Sequence, residues 1–228
     1  MTQATYSVSA AFADHARYNR NQYLQQYGES ISDPESFWQL AGQRLDWIKP
    51  YTKIKAVSYR AEDFRIRWFY DGQLNVASNC LDRHLGSRDH KTAIIWEGDD
   101  PTQSKHITYR ELYERVCQCA NALRELGVKK GDRVTIYLPM IPEIAISMLA
   151  CARIGAIHSV VFGGFSPDSL AGRITDCQSS VIITADEGVR GGKKIPLKAN
   201  VDAALAIKGT ECVQHVLVVK RTDAPIAM

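Results

Sequence analysis

The chain has 228 residues, of which 45% are hydrophobic and 23% charged, the balance of a globular protein able to bury a core. Its net charge of +3 is too small to indicate binding to nucleic acid or to an anionic membrane. The most apolar segment, residues 144–152, is far too short to span a bilayer.

The N-terminal residues and the cysteines give first indications of the compartment. Residues 1–6 contain neither a basic start nor an apolar stretch, so we predict no secretory signal. Six cysteines fall inside apolar or helical segments, at positions 80, 117, 119, 151, 177 and 212. We therefore expect reduced, buried thiols and a cytoplasmic protein. Neither the cysteines nor the histidines have the spacing of a metal site, and we predict no metal ligand.

Residues 1–105 form the first predicted domain, a segment of short helices and aromatic-rich connections. Asp33 followed by Pro34 is typical of a helix start, Asp71-Gly72 of a tight turn, and residues 79–85 of a short helix. Its large aromatic residues include Trp38, Trp47, Trp68, Phe69, Tyr70 and Trp96. We expect an irregular layer held by aromatic side chains against a larger body.

Residues 106–228 form the second predicted domain, in which strands alternate with helices. A capping box at residues 108–111 opens a helix that ends at Gly127. The following segments are predicted as a strand (133–138), a helix (142–154), a strand (157–162), a helix capped by Ser166 (167–177), a strand (180–185), a helix (about 197–207) and a strand (215–219). This alternation predicts an α/β fold with a mostly parallel sheet of β-α-β crossover units.

Two glycine-rich turns follow strands of that sheet, Phe162-Gly163-Gly164 and Arg190-Gly191-Gly192-Lys193. If both strands belong to one parallel sheet, both turns lie at its carboxyl edge, where open α/β sheets bind ligands. No acidic residue occurs in residues 188–201, which contain the cations Arg190, Lys193, Lys194 and Lys198. Bare backbone beside unpaired cations suits a phosphate-bearing ligand.

Plainer interpretations of the same residues stay open. The first turn also fits a tight strand-to-helix connection, and the second a solvated basic loop without Walker spacing. Asp82-Arg83-His84 lacks an accompanying nucleophile or metal ligand, so we interpret it as a helix-surface ion pair. His158 lies within an apolar strand and is interpreted as a packed core residue. We predict no catalytic residue in this chain.

Several segments resemble, in the same order, the AMP-forming acetyl-CoA synthetases of the adenylate-forming superfamily. They are residues 74–85, 93–100, 104–109, 139–143, 148–156, 162–167, 183–190 and 195–198. The resemblance covers nearly the whole chain, from Tyr27 or earlier to Thr222. It implies that the chain is an incomplete part of the N-domain of an adenylate-forming enzyme.

The resemblance also implies a reaction and its substrates. Members of the family activate a carboxylate with ATP to an acyl-adenylate, release diphosphate, and pass the acyl group to the thiol of coenzyme A. Acetate, ATP and coenzyme A are then the small-molecule partners, with Mg²⁺. The resemblance assigns Arg190-Gly191-Gly192-Lys193 to the nucleotide end of coenzyme A, with Phe162-Gly163-Gly164 against the same nucleotide. Several relatives carry arginine at the position of Lys193, and lysine keeps the charge but loses the bidentate fork.

Other segments of the family are not found in these 228 residues. They include the loop for the ATP phosphates, the magnesium-binding acid, the acyl pocket and the catalytic lysine. We therefore interpret the chain as an N-terminal fragment of an acetate–CoA ligase and expect it to be inactive by itself. A fragment of a propionyl-CoA synthetase and a non-catalytic module that binds coenzyme A remain alternatives, although residues 166–173 resemble the acetate enzymes more closely.

Overall fold

A computed structural model describes residues 6–227 of the chain. Residues 1–5, on which most of the signal-peptide prediction depends, lie outside the described residues. The chain divides into two compact units, Met1–Gln73 and Leu74–Met228. The domain limit between residues 105 and 106 stays a prediction. Within residues 6–227, none of the helices combines the length and the hydropathy that a membrane span requires.

The first unit is built from short helices and a β-hairpin. Its elements are α1 (Ala10–His15), α2 (Arg20–Ser32), α3 (Pro34–Gly42), β1 (Lys55–Ser58) and β2 (Arg65–Trp68). β1 and β2 pair antiparallel. The predicted start of α3 is confirmed, because the Asp33 side chain accepts a hydrogen bond from the Ser36 N–H at 3.2 Å and Pro34 occupies the first turn.

Asp71 joins the segment after β2 to the segment before β1 in the first unit. The carboxylate of Asp71 accepts hydrogen bonds from the backbone N–H groups of Thr52 and Lys53, each at 3.0 Å, and from the Thr52 hydroxyl at 2.5 Å. These donors, chiefly the Thr52 hydroxyl, lower the pKa of Asp71 to about 2. The tight turn predicted at Asp71-Gly72 is confirmed, and the Gly72 N–H bonds to the Phe69 carbonyl at 3.0 Å.

The second unit alternates strands and helices as predicted from residue 108 onward. Its elements are α4 (Val76–Cys80), β3 (Thr92–Glu97), β4 (Ser104–Thr108), α5 (Tyr109–Glu125), β5 (Arg133–Tyr137), α6 (Pro142–Ile154), β6 (Ile157–Val160), α7 (Pro167–Cys177), β7 (Val181–Ala185), β8 (Gly188–Arg190), β9 (Lys193–Ile195), α8 (Leu197–Leu205) and β10 (His215–Val219). The short helix predicted at residues 79–85 is wrong in its bounds. Asn75 caps a helix that starts at Val76, and residues 82–84 form a separate 3-10 turn.

A parallel sheet in the order β10-β7-β5-β6 forms the centre of the second unit and confirms the predicted α/β class. The chain passes from β5 to β6 on one side and from β7 to β10 on the other. The carboxyl ends of β5 and β7 therefore flank a topological switch point, the position at which such sheets bind ligands.

The core lies on the two central strands. All five residues of β7 are buried, as are residues 134–137 of β5. β6 is an edge strand, in which Ile157 is 56% exposed. His158 is therefore only half-buried, and its interpretation as a packed core residue is wrong.

Two further predictions need correction. All six cysteines are free, but Cys80 is exposed and Cys151 is the buried one, while the other four are half-buried. Burial raises the pKa of the Cys151 thiol to about 12. The ion pair predicted for residues 82–84 joins Asp82 to Arg153 of α6 at 2.5 Å, so it links two elements instead of lying on one helix surface.

Candidate functional site

A cavity of about 340 Å³ lies at the carboxyl edge of the parallel sheet. Its lining comes from the residues that follow β5, β6, β7 and β10, together with the end of β3, the end of β9 and the start of α8. The lining residues are Trp96, Glu97, Gly98, Asp99, Leu138, Pro139, Met140, Ile141, Phe162, Gly163, Gly164, Gly188, Val189, Arg190, Ile195, Leu197 and Arg221. The structure thus brings the first predicted turn and Arg190 of the second to one cavity, which we call the cleft, while Gly191, Gly192 and Lys193 are not among these lining residues.

The first turn packs against the carboxyl end of β5 and is hydrogen-bonded to it. The hydroxyl of Tyr137 donates to the Phe165 carbonyl at 2.7 Å and accepts from the Asn200 amide at 3.2 Å. A Cβ at Gly163 would lie 3.1 Å from the Leu138 carbonyl oxygen. Close packing against the end of β5 therefore favours glycine at this position. This agrees with the interpretation of the first turn as a tight strand-to-helix connection.

The second turn is a β-hairpin, whereas the sequence predicts an open glycine-rich loop. β8 and β9 pair antiparallel, with Arg190 opposite Lys193. Gly191 and Gly192 connect them with φ of 58° and 71°, the left-handed values that two-residue hairpin loops use. The Gly192 N–H donates to the carboxylate of Asp99 at 3.0 Å, which ties the hairpin to the end of β3.

The cations of this region have different partners. The guanidinium of Arg190 lies 5.4 Å from the centre of the Phe162 ring, inside the cleft lining. Lys193 is exposed on the second strand of the hairpin. Lys194 pairs with Glu187 at 3.0 Å, and the buried Lys198 pairs with Asp202 at 2.7 Å. The prediction of unpaired cations is therefore wrong for Lys194 and Lys198.

Trp96 and Arg221 belong to the cleft, although sequence reasoning places neither there. The indole N–H of Trp96 donates to the Met140 carbonyl at 2.8 Å, and the guanidinium of Arg221 lies 5.1 Å from the centre of the Trp96 ring. The sequence groups Trp96 with the N-terminal aromatic residues instead. One signal for Arg221 is present, because it follows β10 at the same edge of the sheet.

A buried carboxylate holds the segment after β10 beside the cleft. Asp186 accepts hydrogen bonds from the backbone N–H groups of Glu187, Arg221, Thr222 and Ala224, at 2.7 to 3.3 Å. Burial by itself would raise the pKa of Asp186, but these four donors outweigh it and leave the pKa below its ordinary value. The neighbouring Glu187 accepts from the Thr222 hydroxyl at 2.7 Å.

The cleft combines several kinds of recognition group. Two arginines supply hydrogen-bond donors, the rings of Phe162 and Trp96 supply aromatic faces, and Glu97 and Asp99 supply acceptors. A nucleotide combines phosphates, a planar base and polar edges, so this mixture suits it. Among residues 6–227, no group of three or more histidine, cysteine or acidic side chains could hold a metal ion.

Fold and cleft together define an α/β protein with a cleft at the switch point of a parallel sheet, the position at which such sheets bind small molecules. Comparison with known proteins gives the family. A family model described as AMP-binding enzyme matches residues 81–227, and one described as acetyl-coenzyme A synthetase N-terminus matches residues 23–80. The chain belongs to the AMP-binding enzyme family.

Curated relatives match the chain along all or nearly all of its length. It is 63% identical over 228 residues to an acetyl-coenzyme A synthetase of Bradyrhizobium diazoefficiens, with 100% of the chain covered. Over 224 residues, 98% of the chain, it is 63% identical to the enzyme of that name from Xanthomonas axonopodis pv. citri. The Rhizobium rhizogenes protein of the same name is 57% identical over 229 residues, again with 100% coverage. The chain spans 35% of the length of each of these relatives.

Proposed function

We propose that the chain is part of an ATP-dependent acetate–CoA ligase and supplies the site for the nucleotide end of coenzyme A. In the proposed reaction acetate attacks ATP to give acetyl-adenylate and diphosphate. The thiol of coenzyme A then attacks the acetyl carbonyl, giving acetyl-CoA and releasing AMP. The relatives that match 98 to 100% of the chain are named acetyl-coenzyme A synthetase, which supports acetate over propionate.

One observation supports the binding site: the first glycine turn and Arg190 of the second turn line the same cleft. Arg190 stacks on Phe162, which orients its planar guanidinium and leaves its N–H edge able to bind a phosphate. Gly163 and Gly164 leave the backbone of the first turn accessible to the nucleotide.

The hairpin has a supporting role in this proposal. Gly191 and Gly192 form its tip, and Lys193 adds a positive charge opposite Arg190. Lys193 is exposed and is not among the cleft-lining residues named above. We therefore assign it a weaker, longer-range attraction for the phosphates. ATP and Mg²⁺ take part in the proposed reaction, and this chain is assigned no residue that binds them. We propose a cytoplasmic location, where unpaired cysteines are stable.

The test is Arg190→Ala in a ligase of full family length that carries this sequence. Loss of a charge-assisted phosphate contact costs about 1.5–3 kcal/mol, which weakens binding roughly tenfold or more. We expect the KM for coenzyme A in thioester formation to rise by that factor. Acetate-dependent exchange of diphosphate into ATP uses no coenzyme A and should stay near the parent rate. Lys193→Ala should give the same pattern more weakly.

Arg173→Ala is the matched control. Arg173 also stacks on a phenylalanine, at 4.6 Å from the centre of the Phe165 ring, but it lies outside the cleft lining described above. Its replacement should leave the KM for coenzyme A unchanged. If Arg190→Ala instead abolished diphosphate exchange and left the KM for coenzyme A unchanged, the hairpin would serve adenylation or folding, and the proposed site would be wrong.

A further inference from the structure

We infer that Arg221 is a second phosphate-binding residue of the cleft and that Trp96 is the platform that orients it. The inference rests on the proposed function and extends it, since it adds a binding residue from a segment 31 residues beyond Arg190 in the sequence. The ligand class is a nucleotide that carries phosphate groups at more than one position.

The backbone of Arg221 is held in a fixed place. Its N–H donates to the buried carboxylate of Asp186 at 2.8 Å, and the same carboxylate accepts from the N–H groups of Thr222 and Ala224. Asp186 follows β7 directly and is only 2% exposed. The segment that carries Arg221 is thus attached to the end of β7, and β8 with the second turn follows β7 directly in the sequence.

The guanidinium of Arg221 is oriented by an aromatic ring instead of by a carboxylate. It lies 5.1 Å from the centre of the Trp96 ring, which the hydrogen bond to the Met140 carbonyl holds in place. The ammonium of Lys105 also lies 5.6 Å from that ring centre. A guanidinium that lies over a ring keeps its N–H groups free at the edge for an anion.

Availability for a ligand separates the two cleft arginines from the lysines nearby. Among residues 6–227, no carboxylate lies within ion-pair distance of the guanidinium of Arg190 or of Arg221, whereas Lys194 and Lys198 are each paired. The two arginines therefore share one arrangement. Each lies on an aromatic residue of the cleft lining, Phe162 or Trp96, with its donors uncommitted.

The nearby carboxylates, which include Glu97 in the cleft lining, form no ion pair with Arg221 among residues 6–227. Asp99 and Asp100 line the adjoining depression together with Arg221. Asp99 accepts the Gly192 N–H at 3.0 Å, and Asp100 accepts from the backbone and hydroxyl of Thr102 at 2.9 and 2.7 Å. Both carboxylates are thus engaged by local donors, while the arginine is not. A nucleotide with phosphate groups at two positions, as in coenzyme A, offers a separate anionic group to each guanidinium.

The test uses Arg221→Ala and Arg221→Lys in the ligase of full family length, with coenzyme A as the variable substrate. We expect Arg221→Ala to raise the KM for coenzyme A roughly tenfold, by loss of a charge-assisted contact, while acetate-dependent diphosphate exchange stays at the parent rate. The KM of Arg221→Lys should lie between those of the parent and of Arg221→Ala, because lysine retains the charge and loses the bidentate fork. Arg173→Ala again serves as the control with no change.

The outcomes separate this inference from the proposed function. If Arg190→Ala raises the KM for coenzyme A and Arg221→Ala does not, Arg221 only packs on Trp96 and the inference fails alone. A loss of diphosphate exchange in Arg221→Ala equal to the loss of thioester formation would show a structural role and would also overturn it. If neither arginine affects the KM for coenzyme A, the proposed site itself fails.

Discussion

Four cations in residues 190–198 differ in what their charged groups contact. Lys194 and Lys198 each lie beside a carboxylate, Glu187 and Asp202, while Arg190 lies on a phenylalanine ring. Both carboxylates stand just outside the acid-free stretch of residues 188–201. A helix brings Asp202 next to Lys198 four residues away, and the hairpin returns Lys194 to Glu187. Local absence of acidic residues in the sequence therefore does not mean absence of ion pairs.

Thiol chemistry gives a pH-dependent prediction at the scale of single residues. The thiolate is the form that reacts with alkylating agents, so a raised pKa slows the reaction. With its pKa raised to about 12 by burial, Cys151 is thiolate at only about one part in ten thousand at pH 8. We expect iodoacetamide to modify exposed Cys80 first and Cys151 last in the folded chain, as followed by peptide mass spectrometry.

Raising the pH should increase the labelling of Cys151 only as the pH approaches 12 or as the chain unfolds. Labelling in denaturant serves as the control, since unfolding removes the burial that raises this pKa. Equal rates for Cys80 and Cys151 in the folded chain at pH 8 would show that the packing around α6 is looser than described.

At the scale of elements, the β8–β9 hairpin depends on backbone conformation more than on side-chain burial. Its strands are three residues each, and their burial falls from Gly188 to the exposed Arg190 and Lys193. The left-handed φ of both tip glycines is what permits the two-residue connection. The geometry of the second turn, and with it the position of Arg190, therefore depends on Gly191 and Gly192.

Gly192→Ala tests this dependence. Alanine at a φ of 71° is strained, and we expect the substitution to destabilise the hairpin by about 1–2 kcal/mol. Gly172→Ala is the matched control, because Gly172 lies inside α7 with open space where a methyl group would point, and alanine there should stabilise by about 0.5–1 kcal/mol. Amide hydrogen exchange of residues 188–195 and of α7 measures both effects.

We expect the two glycine substitutions to change stability in opposite directions, with faster exchange in the hairpin for Gly192→Ala and slower exchange in α7 for Gly172→Ala. If Gly192→Ala left hydrogen exchange of the hairpin unchanged, the tip would adopt another turn in solution, and the placement of Arg190 beside Phe162 would lose its basis.

The elements that the sequence predicts well are those with local signals. The capping box at Thr108, the prolines at the starts of α6 and α7 and the left-handed Gly155 mark helix ends without reference to distant residues. The hairpin at Gly191 escapes prediction because arms of three residues show no periodicity. The contribution of Trp96 to the cleft depends on contacts with residues far along the chain, which no local pattern encodes.

At the scale of the second unit, Asp186 connects the carboxyl ends of β7 and β10. One of its four backbone donors is the next residue in the chain, Glu187, and the other three, Arg221, Thr222 and Ala224, belong to the segment after β10. The lowered pKa of Asp186 means that its ionised form binds these donors more tightly in the folded state than in the unfolded state. This contribution to stability is present above the unfolded pKa, about 3.9, and is lost as the pH falls through the lower folded value.

Asp186→Asn should therefore destabilise the second unit at neutral pH. An amide replaces an oxygen that accepts backbone N–H groups, and we expect a cost of about 1–3 kcal/mol at pH 7. The difference from the parent should be smaller at pH 3, because that pH lies below the unfolded pKa and the unfolded state then binds a proton. Hydrogen exchange of β7, or urea unfolding at both pH values, measures this difference in stability.

Asp223→Asn is the control from the same segment. Asp223 pairs with Lys220 at 3.2 Å, and both side chains are about four-fifths exposed, so its replacement should have little effect at either pH. A loss of stability in Asp186→Asn that did not change between pH 7 and pH 3 would contradict the electrostatic role assigned to this carboxylate.

The position of Trp96 also gives the cleft an intrinsic fluorescent probe. The sequence has four tryptophans, and the other three, Trp38, Trp47 and Trp68, belong to the first unit. Replacing those three by phenylalanine leaves a single indole, stacked under the guanidinium of Arg221 and hydrogen-bonded to the Met140 carbonyl. Its emission would then follow events in the cleft alone, so binding and release of the proposed nucleotide could be timed in this chain by stopped-flow fluorescence without an attached dye.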